Sequence, residues 1–178
     1  MEAVNRLCLV ACLFAAAGSV SCSYFKEKPP EPVFRCVVKE LPSPGTSVMV
    51  WAIEQKSHYV GPEDRRAEHE ATIWLREHGL NVVERWQVEQ AFVEQHLSIE
   101  SGNAASLLKV GKLTGAKQVI LLQAYSDRVM VRAVETERGS IVWSGTGQYV
   151  DASADFKAGA FAPSLTRKTL DAIWKSKL

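Results

Sequence analysis

Apolar positions along this chain follow two rhythms, and the clearest lies between residues 117 and 150. Val119-Ile120-Leu121-Leu122 is an almost unbroken apolar run, a turn-type segment at 125–128 interrupts it, and Val129-Met130-Val131-Arg132-Ala133-Val134 returns with one polar break. A second turn at Thr136-Glu137-Arg138-Gly139 precedes Ile141-Val142-Trp143 and a more polar end reaching Val150. Three β-rich runs joined by short turns predict a meander of consecutive antiparallel strands. One face of such a sheet has to be covered, and the helical segments on either side of it in sequence are the available covers.

Upstream the rhythm alternates. Residues 48–53 are continuously apolar, which predicts a buried, central strand. Pro62, at a first helical position and followed by Glu63 and Asp64, opens a helix whose inward face is Ala67, Ala71, Trp74, Leu75 and His78, with Glu68 and Glu70 mainly outside it. Gly79 supplies its stop. Residues 81–85 predict a short strand, residues 86–97 return to helical period through Val88, Ala91 and Phe92, and Ser101-Gly102-Asn103 caps a helix over 104–114. After a looser stretch at 151–155, Pro163-Ser164 starts a last helix with Leu165, Thr169, Ala172 and Ile173 inward. Strand and helix alternate in the order of an α/β domain. Its sheet is mixed, with parallel pairing among the first strands and an antiparallel C-terminal meander.

The N-terminus has a rhythm of its own. A short segment with one basic side chain, Arg6, precedes the apolar run Leu7 to Ala17, and Gly18-Ser19-Val20-Ser21 ends at Cys22. That is the order of a secretory signal peptide, and the apolar run is shorter than the ~20 residues that span a bilayer. A cysteine directly after small residues resembles the lipobox of bacterial lipoproteins, in which the thiol is acylated and becomes the new N-terminus. Residues 1–21 are accordingly expected to be a lipoprotein signal peptide and Cys22 the palmitate-bearing residue. An ordinary cleaved signal and an uncleaved anchor are the other readings of the same pattern. Ser23 rather than Asp after the cysteine implies, by that resemblance, sorting to the outer membrane, with the domain in the periplasm. Loss of Cys8 and Cys12 with the signal and acylation of Cys22 would leave Cys36 alone, as a partly buried thiol or one that pairs between molecules. Residues 22–46 hold Lys28-Pro29-Pro30-Glu31-Pro32 and Pro42-Ser43-Pro44-Gly45, and read as a tether carrying a short edge strand at 34–38.

Composition narrows the function classes. With 178 residues, 47% of them apolar, the chain can bury one core, and a net charge of +1 with interleaved signs offers no basic stripe to nucleic acid. His69-Glu70 begins like a zinc-protease helix, but Ile73 stands where the second histidine is needed, and His58, His78 and His96 have no partner at ligand spacing. Gly111-Lys112 lacks the first glycine of a phosphate loop, and Gly145-Thr146-Gly147 opens no helix. No enzyme, metal, cofactor or small-molecule substrate is therefore expected. Two places stay open between packing and binding. Arg85 stands beside Glu84 at a strand end, where it forms a local ion pair, bridging to the following helix, or meets a partner's carboxylate. Trp143 anchors the core or touches a partner. Trp86 is the third candidate for protein binding.

Four blocks then follow one another: Gly79-Leu80-Asn81-Val82-Val83-Glu84-Arg85, Glu94-Gln95-His96-Leu97, Gly111-Lys112-Leu113-Thr114-Gly115-Ala116, and Gly139-Ser140-Ile141-Val142-Trp143-Ser144-Gly145. In this order they resemble the periplasmic domain of the CsgG-like and LpoB-like envelope lipoproteins. The resemblance spans about residues 48–150 and implies a single three-layer α/β domain over 47–150, with 151–178 as a C-terminal helical segment. It also implies a non-enzymatic accessory that binds envelope proteins in assembly or secretion. Two further roles are a lipoprotein activator of a peptidoglycan synthase and a self-assembling scaffold. The turns at 125–128 and 136–138 are too short to host membrane strands of ~9–11 residues, so a curli-type pore is not expected.

Overall fold

The computed structural model describes residues 31–53, 62–97, 103–125, 127–150 and 162–177. The expected signal, Cys22, His58 and the stretch 151–155 lie outside them. Strand β2 (Ser47–Ala52) sets the layers: Val48 and Val50 point into one helix-covered face, Met49 and Trp51 into the other, and all four are buried. A strand buried on both sides has no polar face to show, which accounts for its unbroken apolar sequence.

Helix α1 (Pro62–Glu77) follows and ends as expected. Gly79 takes a left-handed φ of 78°, and Leu80 N–H reaches back to Leu75 C=O at 3.0 Å. The expected strand over 81–85 is shorter than its β-rich sequence suggested. Strand β3 is only Asn81–Val82, because Glu84 already acts as the N-cap of helix α2 (Arg85–Glu94) and donates its N–H to the Gln87 side chain at 3.2 Å. Arg85 thus belongs to the first turn of a helix and not to a strand end. Helix α3 (Ala104–Leu113) starts at Asn103, whose side chain accepts from Ala105 N–H at 3.0 Å. Then come β4 (Gln118–Ala124), β5 (Arg128–Glu135), β6 (Ile141–Tyr149) and α4 (Ala162–Lys175). The edge strand expected inside the tether is β1 (Pro32–Val38).

One six-stranded mixed sheet results, in the order β1-β6-β5-β4-β2-β3. Strand β2 runs parallel to β3 and β4, and all other pairs are antiparallel. The expected single α/β domain, with parallel N-terminal strands and a C-terminal meander, is what is observed. Helices α1 and α4 cover one face over a core that includes Trp74, Leu75, Ile120, Leu122, Trp143, Leu170 and Ile173. Helices α2 and α3 cover the β2–β4 part of the other face through Met49, Trp51, Phe92, Leu107, Val110 and Val119.

Two local features shape the surface. Along β6 the residues facing α4 run Trp143, Gly145, Gly147, Tyr149, and all four are buried. A Cβ on Gly145 would stand 2.6 Å from Ile173 Cγ1, so α4 lies directly against backbone where a side chain would hold it off. On the opposite side, the β1 residues Val33, Arg35 and Val37 are exposed, while Phe34, Cys36 and Val38 pack against the core.

Candidate functional site

The chain leaves β2 toward one face of the sheet and β3 toward the other, and the crevice at their carboxyl ends is where sheets of this kind place ligands. Three elements meet there. Glu68 on α1 is 8% exposed and accepts a hydrogen bond from Ala52 N–H, at the end of β2, at 3.0 Å. Its other oxygen receives Arg85 Nη1 from the first turn of α2. Arg85 Nε also donates to Glu89 Oε1 at 2.8 Å, and the guanidinium lies 4.9 Å over the Trp51 ring. Burial pulls the Arg85 pKa down, and the Glu68 and Glu89 carboxylates more than offset it, so the group stays charged. Of the two readings left open for Arg85, the local ion pair is the one present, though with Glu68 and Glu89 and not with the adjacent Glu84. Glu84 itself pairs with Arg76 at 2.5 Å. Chemically this arrangement locks α1, β2 and α2 together, and these charges are spent on one another.

Trp86, one residue on, turns outward and is 61% exposed. It borders an open groove of about 390 Å³ between α2 and α3, with Gln90, Glu94, Leu113 and Thr114 along its walls. Leu113 across the groove and Val93, seven residues along α2 from Trp86, are also exposed. A seven-residue step returns to the same side of a helix. A large indole left in water beside a groove that an exposed leucine also lines is the kind of surface that association covers.

Trp143 has to be corrected as a contact candidate. It is 0% exposed, faces α4, and gives its indole N–H to Gln118 Oε1 at 3.2 Å. Trp174 stands edge-on to both Trp143 and Trp74, with centroids at 5.7 and 4.7 Å. Trp74 in turn donates to Asp171 Oδ1 at 2.8 Å and stacks on His78 at 3.5 Å. Arg85 and Trp86 therefore share one end of the sheet, while Trp143 belongs to the core. Among the described residues, no group of three or more His, Cys, Asp and Glu side chains is placed to hold a metal ion.

Sequence reasoning missed Glu68, which it set on the outward side of α1, as well as Val93 and Leu113. Helical period placed Glu68 off the apolar stripe, and nothing in its sequence neighbourhood announces the Ala52 N–H or Arg85. Leu113, by contrast, ends a helix whose buried face is Leu107, Val110 and Gly111, so its place off that face was readable.

The fold defines a class, a three-layer α/β domain with a mixed sheet. No family model matches the chain, and no curated protein does. Among solved structures it is similar to the PelC dodecamer from Paraburkholderia phytofirmans, at 16% identity over 78% of this chain and 94% of that one, with a TM-score of 0.48. It is also similar to the LpoB C-terminal domain from Salmonella enterica, at 17% identity over 60% of this chain and 83% of that one, TM-score 0.49. A third is the lipoprotein GNA1162 from Neisseria meningitidis, at 16% identity over 71% of this chain and 99% of that one, TM-score 0.45.

Proposed function

We propose that this chain is a lipid-anchored envelope protein, held by Cys22 to the outer membrane, whose periplasmic domain acts without catalysis by binding other envelope proteins during assembly or secretion. The observation that carries the binding role is Trp86, exposed together with Leu113 along the α2–α3 groove, with Val93 exposed further along α2. The anchoring role rests on the N-terminal order of basic residue, apolar run and small residues before Cys22. An apolar helix or loop of a partner fits the groove, with Gln90 and Glu94 as its polar rim.

The synthase-activator role is the weaker reading on one observation. Because the sheet already begins at Pro32, residues 23–31 are the whole connection to Cys22, about 30 Å at full stretch. That keeps the domain near the membrane that holds it.

A photo-crosslinking amino acid in place of Trp86, used in cells, tests the binding role. Adducts with envelope proteins that Leu113→Asp abolishes are expected, and a crosslinking pattern indifferent to Leu113→Asp would remove the groove from the proposal. An inner-membrane synthase as the main adduct would establish the activator reading instead, and a ladder of this chain alone the scaffold. Labelled palmitate should enter the wild type and not Cys22→Ala, and equal labelling of both would end the anchoring claim.

A further inference from the structure

Strand β1 is an edge of the sheet, paired on one side with β6 and with no described strand on the other. Lys39 N–H donates to Val142 C=O at 2.9 Å. The alternation of an antiparallel ladder therefore turns the backbone of Val33, Arg35 and Val37 toward β6 and that of Phe34, Cys36 and Val38 toward the free edge. On the solvent side, the row along this edge reads Glu31, Val33, Arg35, Val37, Lys39, and every member is exposed. The row is symmetric about Arg35 in its apolar members and opposite in charge at its ends.

We infer that β1 pairs with β1 of a second copy of this chain, antiparallel and centred on Arg35, joining two sheets into one. In this register Val33 of each copy stands opposite Val37 of the other, and Glu31 opposite Lys39, on the same solvent-facing row. These are the directly opposed, non-hydrogen-bonded pairs, whose side chains approach most closely. Phe34 and Cys36 of the two copies exchange the backbone bonds that face the free edge. Charges on an edge ordinarily deter pairing. Here the end charges are complementary and equidistant from the axis, and the one like-charge contact, Arg35 with Arg35, lies where both guanidiniums can swing into water. The chain's own upstream residues are poorly suited to this edge, because Pro29 and Pro30 have no N–H to give, while Pro32, at the strand's start, leaves unmade only the outermost bond of the new ladder, to Val38 C=O. The two β1 starts lie about 20 Å apart in the pair, six residues at strand rise. Connections of about 30 Å let both reach one membrane. Pairing does not require lipid, although anchoring in a plane would favour it by raising local concentration.

Full-length protein in its own membranes, carrying Cys36→Ser, is the background for the test. With Arg35→Cys added, mild oxidation should give a covalent band at twice the chain mass, since the two axial Cα atoms stand about 4.5 Å apart, within disulfide reach. Val37→Cys alone should not exceed the Cys36→Ser background. Adding Lys39→Glu to the Arg35→Cys chain should lower the linked fraction about fivefold, and adding Glu31→Lys as well should restore it. Within one chain those two residues are eight apart along an extended segment, so rescue reports contact between copies. A band at another mass, equal linkage through Val37→Cys, or a Lys39→Glu effect without rescue would overturn the inference. Loss of palmitate labelling with linkage retained would defeat the anchor and leave the dimer standing.

Discussion

Gly147→Ala tests how closely α4 sits on the sheet. The glycine's φ is not left-handed, so its backbone admits alanine, and a shorter list of unfolded conformations would by itself stabilise the variant by about 0.4–1 kcal/mol. The added Cβ, however, would fall inside contact distance of Thr169 Oγ1, 3.0 Å from Phe34 Cε1 and 3.1 Å from Leu165 Cδ1. Thr169 is fully buried and its hydroxyl donates to Leu165 C=O at 2.7 Å, so it has no free volume to turn into. Overpacking of this kind costs about 1–3 kcal/mol, and the net expectation is a destabilisation of about 1–2 kcal/mol. Thr169→Ala alone should cost about 1–2 kcal/mol through a lost hydrogen bond and a lost buried methyl. In the double variant the closest clash, with the Thr169 hydroxyl, is gone, and the combined loss should be smaller than the sum by about 1 kcal/mol. Urea unfolding followed by tryptophan emission reads all three, since Trp143 and Trp174 lie in the same core. A stabilised Gly147→Ala, or strictly additive losses, would refute the close approach of α4.

Glu68→Ala should cost about 1–3 kcal/mol in the same assay, because Ala52 N–H loses its acceptor and Arg85 its most buried partner, and Glu68→Gln should cost less by keeping an acceptor for Ala52. Trp143→Ala should cost about 3–5 kcal/mol, whereas Trp86→Ala should leave the unfolding midpoint unchanged while reducing partner capture. Burial raises the pKa of the Cys36 thiol above its ordinary value, so alkylation by iodoacetamide should still be accelerating above pH 9, and a plateau by pH 8.5 would contradict the placement. Burial likewise raises the Tyr149 phenol, against a smaller opposing effect from its hydrogen bond with Ser164. A raised pKa in an acid that is neutral when protonated stabilises the fold fully below the unfolded value and ceases to as pH climbs through the folded one. Tyr149→Phe should therefore flatten the stability decline above about pH 10, and at pH 7 should cost only the hydrogen bond with Ser164.

Local pattern carried far in this chain because its elements obey their periods. A six-residue apolar run with no polar alternation suits a strand covered on both faces, and β2 is one. Gly79 stops α1, Asn103 caps α3, and the turn glycine Gly139 separates β5 from β6, each by backbone chemistry confined to a few residues. The reading broke down at residues 81–85. Strand propensity there competes with helix capping at Glu84, and capping wins although β2 runs on to Ala52 beyond the paired Ser47 and Val48. Trp143 shows the same limit from another side. Its own neighbours allow either burial or exposure, and the choice is made by α4, which arrives from 19 residues or more further along the chain.

From its order of residues alone this protein settles its class, its central strand and its meander, because periodicity and capping are written in neighbouring residues. Tertiary structure decides the rest. It determines that Glu68 is buried against Arg85, that Trp86 is left in water while Trp143 is not, and that the row from Glu31 to Lys39 follows the edge strand of the described sheet. Burial, and a pair such as Glu68 with Arg85, depend on residues distant in sequence, and no short window along the chain contains both members of such a contact.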